Sequence, residues 1–158
     1  MLITIMRHGE AQFRAASDSS RQLTEQGRKD NLATTSALLS HNPEFSHALH
    51  SPYLRAQQTA EDLCTSLGGL ASESCEMLTP DVPVTDLLSY LQHFCEERQV
   101  SSLLLVGHNP LLSHLLSLLL DGTHSGARHL DTSNLVCLNV DLLAPACAEI
   151  NYWLRADS

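Results

Sequence analysis

Basic residues are scarce in this chain. Nine lysines and arginines stand against eighteen aspartates and glutamates, a net charge of −9 over 158 residues. Such an acidic chain lacks the broad cationic surface that tracks a phosphate backbone, so no nucleic-acid partner is expected. Long apolar runs are missing too. The longest, around residues 111–120, is broken by Ser113, His114 and Ser117 and falls well short of a membrane span. The opening apolar run is cut by Arg7 and His8, too early for a secretory leader. Cys64, Cys75, Cys95, Cys137 and Cys147 are too dispersed for a redox pair or a compact zinc signature. Reduced, mostly structural thiols in a cytoplasmic protein are the expectation. The histidines form no recognised ligand run, so neither a metal nor another cofactor is expected. With no internal repeat and no long linker, residues 1–158 read as one domain, expected to be monomeric and free of the membrane.

What is present is an alternation of strand and helix signals. Residues 2–6 form a nearly continuous apolar run rich in β-formers, which predicts a short buried strand. A polar loop follows to Ser20. Thr24 is placed to cap a helix whose inward stripe is expected to be Leu32, Ala33, Ser36, Ala37 and Leu39, ending at His41-Asn42-Pro43. Gly27, inside that helix's first turn, suggests a close approach to the loop that follows the first strand. A second strand is predicted over 45–50, then a helix with Ser51 as cap and Pro52 first, stopped by Gly68-Gly69. Residues 70–83 are expected to cross the molecule as a loop with an extended piece near 76–78. A third helix to Glu97, a strand over 101–106, a helix over 110–120 and two terminal strands over 133–141 and 147–154 complete the pattern. The fold class expected is α/β, a three-layer α/β/α sandwich with a mixed, mostly parallel sheet.

In such a sheet, ligands collect outside the carboxyl ends of the parallel strands. Three of those ends carry matched chemistry. Arg7 and His8 follow the first strand, Arg55 lies in the first turn after the second, and His108 follows the strand over 101–106. Two arginines can grip phosphoryl oxygens with forked hydrogen bonds, while two histidines divide nucleophilic and electrostatic work. Arg21, near a loop entering its helix, is a candidate third cation. Each residue also has a plainer reading: Arg7, Arg21 and Arg55 as solvated surface residues, His108 as a satisfied loop histidine. Their shared placement at strand ends favours the functional one.

The motifs resemble those of the histidine phosphatase, or phosphoglycerate-mutase-like, superfamily. Met6-Arg7-His8-Gly9-Glu10 is similar to its nucleophile motif, and Arg21-Gln22-Leu23-Thr24-Glu25-Gln26-Gly27 to the segment entering its first helix. Ser51-Pro52-Tyr53-Leu54-Arg55-Ala56-Gln57-Gln58-Thr59-Ala60 is similar to its second phosphate-binding segment, and Val106-Gly107-His108-Asn109-Pro110 to its later histidine segment. The short length, the segment at residues 15–19 and the compact second half resemble the small bacterial phosphohistidine phosphatases within it. That resemblance implies the histidine phosphatase fold, transient phosphorylation of His8, and Arg7, Arg55 and His108 around the phosphoryl group, with Arg21 nearby. It also implies a phosphohistidine-bearing protein as substrate, such as a phosphotransfer domain of a two-component signalling relay.

Larger members of the superfamily carry an acidic proton donor in an inserted segment, and no motif between residues 61 and 100 assigns one here. Two other functions stay open at this point. One is a small-molecule phosphomonoesterase in which Glu10, Asp18 or an acid from residues 73–86 serves as donor. The other is a phosphoprotein-binding module without catalysis.

Overall fold

The computed structural model describes residues 1–157; Ser158, the last residue of the expected domain, lies outside the described residues. Strands β1 (Leu2–Arg7), β2 (His47–His50), β3 (Glu73–Ser74), β4 (Ser102–Gly107), β5 (Leu135–Val140) and β6 (Ala148–Leu154) form one sheet in the order β3-β2-β4-β1-β5-β6. The first four pair in parallel, and β5 and β6 add antiparallel neighbours on one side. The sheet is mixed, as the alternation of elements implied.

Alternate residues along the central strands sort to opposite faces, because side chains of a strand point up and down in turn. Ile3 and Ile5 of β1 and Leu103 and Leu105 of β4 pack with helices α3 (Val84–Arg98) and α4 (Leu111–Asp121), through Leu87, Leu91, Leu112, Leu115 and Leu116. Met6, Leu104 and Val106 face helices α1 (Glu25–Leu39) and α2 (Leu54–Ser66), meeting Leu38, Ala56, Ala60 and Leu63. Helices on both faces explain why β4 reads as an unbroken apolar run: every one of its residues is buried.

Three expectations need correction. The inward face of α1 is Gly27, Asn31, Thr34, Thr35 and Leu38, whereas Leu32 and Leu39 point to solvent. Polar groups can hold that face because each finds a partner: Thr34 donates to the Ser133 carbonyl, Thr35 to the Asn31 carbonyl, and Ser133 to Asn31 Oδ1, all within 2.8 Å. Helix α2 begins at Leu54 rather than Pro52, with Tyr53 at its cap position. The extended piece of the crossing segment is Glu73–Ser74, and Glu76–Leu78 is a 3-10 turn that buries Leu78.

Candidate active site

Because β1, β2 and β4 are parallel, their carboxyl ends open on one edge, and the register sets what meets there. Arg7 sits opposite Gly107, so the next residues, His8 and His108, become neighbours; the His8 amide donates to the Gly107 carbonyl at 3.0 Å. The same step on β2 brings Ser51 alongside, its amide bonded to the Val106 carbonyl. The antiparallel β5 delivers its preceding loop to this edge, where Ser133 donates its amide to the Arg7 and His8 carbonyls.

His8 is buried, and its Nδ1 lies 2.7 Å from the carbonyl oxygen of Gly9. A carbonyl only accepts, so Nδ1 carries the proton and Nε2 presents its lone pair. Burial first, and then the charges of Arg55, Arg7 and Arg21, push the His8 pKa down to about 4, against an opposing pull from the Gly9 bond. The ring is therefore neutral near pH 7, as an attacking imidazole must be. Arg55 Nε–H points at that lone pair from 3.3 Å.

Arg55 is almost wholly buried, with its guanidinium fixed from several sides. Nη1 donates to the Asp18 carbonyl at 2.8 Å, Nη2 to Asp18 Oδ2 at 3.3 Å, and the Tyr53 ring lies under it, 5.2 Å from Cζ. Two backbone amides at the start of α2 are already occupied, Tyr53 by Ser51 Oγ and Ala56 by the Tyr53 carbonyl. The side chain of Arg55, more than bare helix-end donors, is what reaches His8.

His108 packs 5.0 Å from the His8 ring, and its Nε2 lies 2.7 Å from Ser51 Oγ. Its Nδ1 is buried with no hydrogen-bond partner. Desolvation, reinforced by His8 and Arg55, pushes its pKa down to about 2. His108 is thus neutral, so it can offer an N–H but not a full charge. Arg7 anchors one guanidinium nitrogen on the Leu130 carbonyl at 3.3 Å and leaves Nε buried without a partner.

Of the other sequence candidates, Arg21 joins the cluster at one remove: it donates to Asp18 Oδ1 at 3.0 Å and to the Gln12 carbonyl at 2.6 Å. Asp18 itself is brought onto Arg55. The Glu10 carboxylate turns to α1 instead, accepting from Thr24 Oγ1 at 3.0 Å and bracing the entrance to that helix. Among the described residues no group of three or more His, Cys, Asp and Glu side chains is placed to hold a metal ion. The five cysteines are free, and no helix is long and apolar enough to cross a membrane.

Sequence reasoning missed the supports beneath these groups. Thr59 accepts the Gly9 amide at 3.0 Å and donates to the Arg55 carbonyl at 2.8 Å, tying the loop after β1 to α2. Asn31 reaches Asp62 and Thr59 and receives Ser133. Ser51, read as a helix cap, holds the Tyr53 amide at the start of α2 and also bonds His108. The signal for Ser51 was available, since it too follows the last residue of a parallel strand. Nothing local distinguishes Thr59 or Asn31.

Comparison with known proteins agrees with this architecture. Residues 3–79 match the histidine phosphatase superfamily (branch 1). The chain is 39% identical over 124 residues to the phosphohistidine phosphatase SixA of Escherichia coli K12, covering 77% of this chain and 76% of that one. It is 32% identical over 125 residues to a SixA homolog of Haemophilus influenzae, covering 74% and 76%. A solved structure of the protein histidine phosphatase SixA complexed with tungstate superposes with a TM-score of 0.85 at 31% identity, over 99% of this chain and 98% of that one. An alpha-ribazole phosphatase from Shigella flexneri, at 16% identity and a TM-score of 0.77 over 99% and 97%, shares the fold alone. Motif order, strand-end geometry and these likenesses agree: the chain belongs to the histidine phosphatase superfamily.

Proposed function

We propose that this enzyme removes the phosphoryl group from phosphohistidine on a protein, through a phosphorylated His8. Attack by His8 Nε2 forms a P–N bond as the bond to the substrate's ring nitrogen breaks. The departing imidazole leaves neutral if its other nitrogen already carries a proton, so no carboxylic acid is needed. The second step mirrors the first. Water attacks phosphorus, and His8 departs as a neutral imidazole because the Gly9 carbonyl has kept the proton on Nδ1 throughout. Arg7 and Arg55 face the phosphoryl oxygens, with the Nδ1–H of His108 as a further donor; Arg21 acts through Asp18.

The observation that carries the substrate class is the fate of the segment between Gly69 and Ser101. It is spent on β3, a 3-10 turn and α3, whose inner face of Leu87, Leu88, Leu91 and Phe94 is committed to the core. Among the described residues it supplies no side chain bonded to His8, Arg55 or His108. A macromolecular substrate needs that open approach, and the sequence likeness to SixA supports the same choice. A phosphotransfer domain of a signalling relay is the proposed partner, met in the cytoplasm by a monomer. The test is phosphate release from a phosphorylated phosphotransfer domain against release from a sugar phosphate, for wild type and His8→Ala. The expected result is a kcat/KM at least a hundredfold higher on the phosphoprotein, abolished in His8→Ala. Faster turnover of the sugar phosphate would reassign the enzyme as a small-molecule phosphomonoesterase. Binding of the phosphoprotein with no release, and no label on His8, would make it a binding module.

A further inference from the structure

Asp18 occupies the place of an anion in the cluster. Asp18 Oδ2 lies 3.3 Å from Arg55 Nη2, its Oδ1 lies 3.0 Å from Arg21 Nη1, and its carbonyl accepts from Arg55 Nη1 at 2.8 Å. Its two carboxylate oxygens are thus divided between two guanidinium groups, the arrangement that phosphoryl oxygens adopt on paired arginines. Yet the Asp18 side chain is 58% exposed, and residues 12–20 are all exposed, so this loop can withdraw without opening the core. A recess of about 390 Å³, lined by Phe13, Ala15, Ser17, Asp18 and Arg21, gives the carboxylate room to swing. We infer that Asp18 is a built-in competitor for the phosphate clamp: it holds Arg55 and Arg21 in position between turnovers, yields to the incoming phosphoryl group, and returns to help expel inorganic phosphate. The inference rests on the proposed role of Arg55 as a phosphoryl clamp.

A carboxylate serving this purpose must stay ionised, and Asp18 is held below the usual carboxylate range, first by its hydrogen bond to Arg21 and then by Arg55. This separates Asp18 from a proton donor, which needs a pKa raised toward the working pH. The role is that of a positioning residue. Its signature is unusual for a residue beside an active centre, since removing its charge should tighten binding.

The experiment is calorimetric titration of inorganic phosphate into wild type, Asp18→Asn and Asp18→Ala. Glu73→Gln serves as control, an acid paired with Arg98 at the sheet edge. Thermal melts with and without phosphate provide a second readout. Both Asp18 variants should bind phosphate about three- to tenfold more tightly than wild type, the range expected on releasing a partly exposed ion pair. Product inhibition should rise by the same factor, and the control should not move. Phosphate binding by wild type with no gain in either variant would overturn the competitor role alone. A fall in kcat of a hundredfold or more with unchanged phosphate affinity would make Asp18 a proton donor instead. If neither wild type nor variants bind phosphate, the clamp itself is refuted, and this inference with it.

Discussion

Ser51 Oγ and His108 Nε2 lie 2.7 Å apart, a hydrogen bond whose direction sets which nitrogen of His108 bears its proton. The hydroxyl accepts from the Tyr53 amide at 3.3 Å, so its own hydrogen is free for Nε2. When the hydroxyl is the donor, the proton of the neutral ring sits on Nδ1, the buried atom without a partner. Ser51→Ala removes that instruction and lets the ring flip its tautomer. The expected outcome is a kcat/KM lowered by about ten- to a hundredfold, the size of losing one aimed donor. Nitrogen NMR of His108 should show Nδ1–H in wild type and a mixture in the variant. A wild-type ring protonated on Nε2 would refute the assignment.

Arg55 tests the fork. A lysine there keeps the charge but cannot reach His8, the Asp18 carbonyl and the Asp18 carboxylate together, as the guanidinium does through three nitrogens. Arg55→Lys should lower kcat/KM on the phosphoprotein by about a hundredfold or more. The folded fraction should remain high by circular dichroism. Kinetics within threefold of wild type would show that charge alone suffices.

Covalent capture should find the phosphoryl group on His8 Nε2. The Gly9 carbonyl already holds Nδ1–H at 2.7 Å, leaving one ring nitrogen with a lone pair. Rapid quenching followed by phosphorus–nitrogen NMR of the labelled protein distinguishes the two isomers. Phosphate on Nδ1, or on any residue other than His8, would contradict the geometry.

How legible was all this in the sequence? Strand ends carrying Arg7-His8 and Gly107-His108 were readable because parallel strands buried on both faces leave uninterrupted apolar runs, and the chemistry begins where those runs stop. The helix with Leu87, Leu88, Leu91 and Phe94 inward was readable for the same reason of burial. Helix α1 was not. Its buried face includes Asn31 and Thr34, both bonded to Ser133 about a hundred residues away, and no local periodicity contains such a partner. Ser51 reads as a cap and Thr59 as one residue of a motif, because their partners, His108 and Gly9, lie at other strands' ends. Asp18 was visible only as an acid. Its pairing with Arg55 depends on how the exposed loop folds back over α2.

Gly27 is a case where local propensity gives the wrong sign. Replacing a helical glycine by alanine ordinarily stabilises by about 0.5–1 kcal/mol. Here the added Cβ would collide with the backbone carbonyl oxygen of Glu10 and crowd its amide, and neither is the far end of a flexible side chain. Overpacking against backbone costs about 1–3 kcal/mol, so it should win. Gly27→Ala is expected to lower stability by about 1–2 kcal/mol in urea unfolding, and activity with it, since Glu10 follows directly on His8-Gly9. An unchanged or raised midpoint would mean that the loop moves freely, and the close packing of α1 on the His8–Glu10 loop would lose its significance.

The buried histidines also make stability depend on pH, with a sign fixed by the direction of their shifts. An unfolded histidine titrates near 6.5. His8 in the folded protein titrates near 4 and His108 near 2, burial being the first cause for both. As pH falls below 6.5 the unfolded chain takes up protons that the folded chain refuses, so unfolding is favoured. The stability these residues allow is therefore complete above about pH 6.5 and is lost progressively as pH falls, to about pH 4 for His8 and about pH 2 for His108. The magnitude for His8 alone is at most about 3 kcal/mol over that window. Carboxylates add an acid-side loss of their own, but Asp18 and Asp121 are held below their ordinary range and act lower on the scale. The expected observation is a melting temperature that declines between pH 6.5 and 4.5, with a shallower decline in His8→Asn, where the titrating ring is gone. Bound phosphate should oppose the decline, because an anion beside the rings favours their charged forms. Equal slopes for wild type and His8→Asn would mean that His8 titrates normally, and its neutrality at physiological pH would then need no burial to explain it.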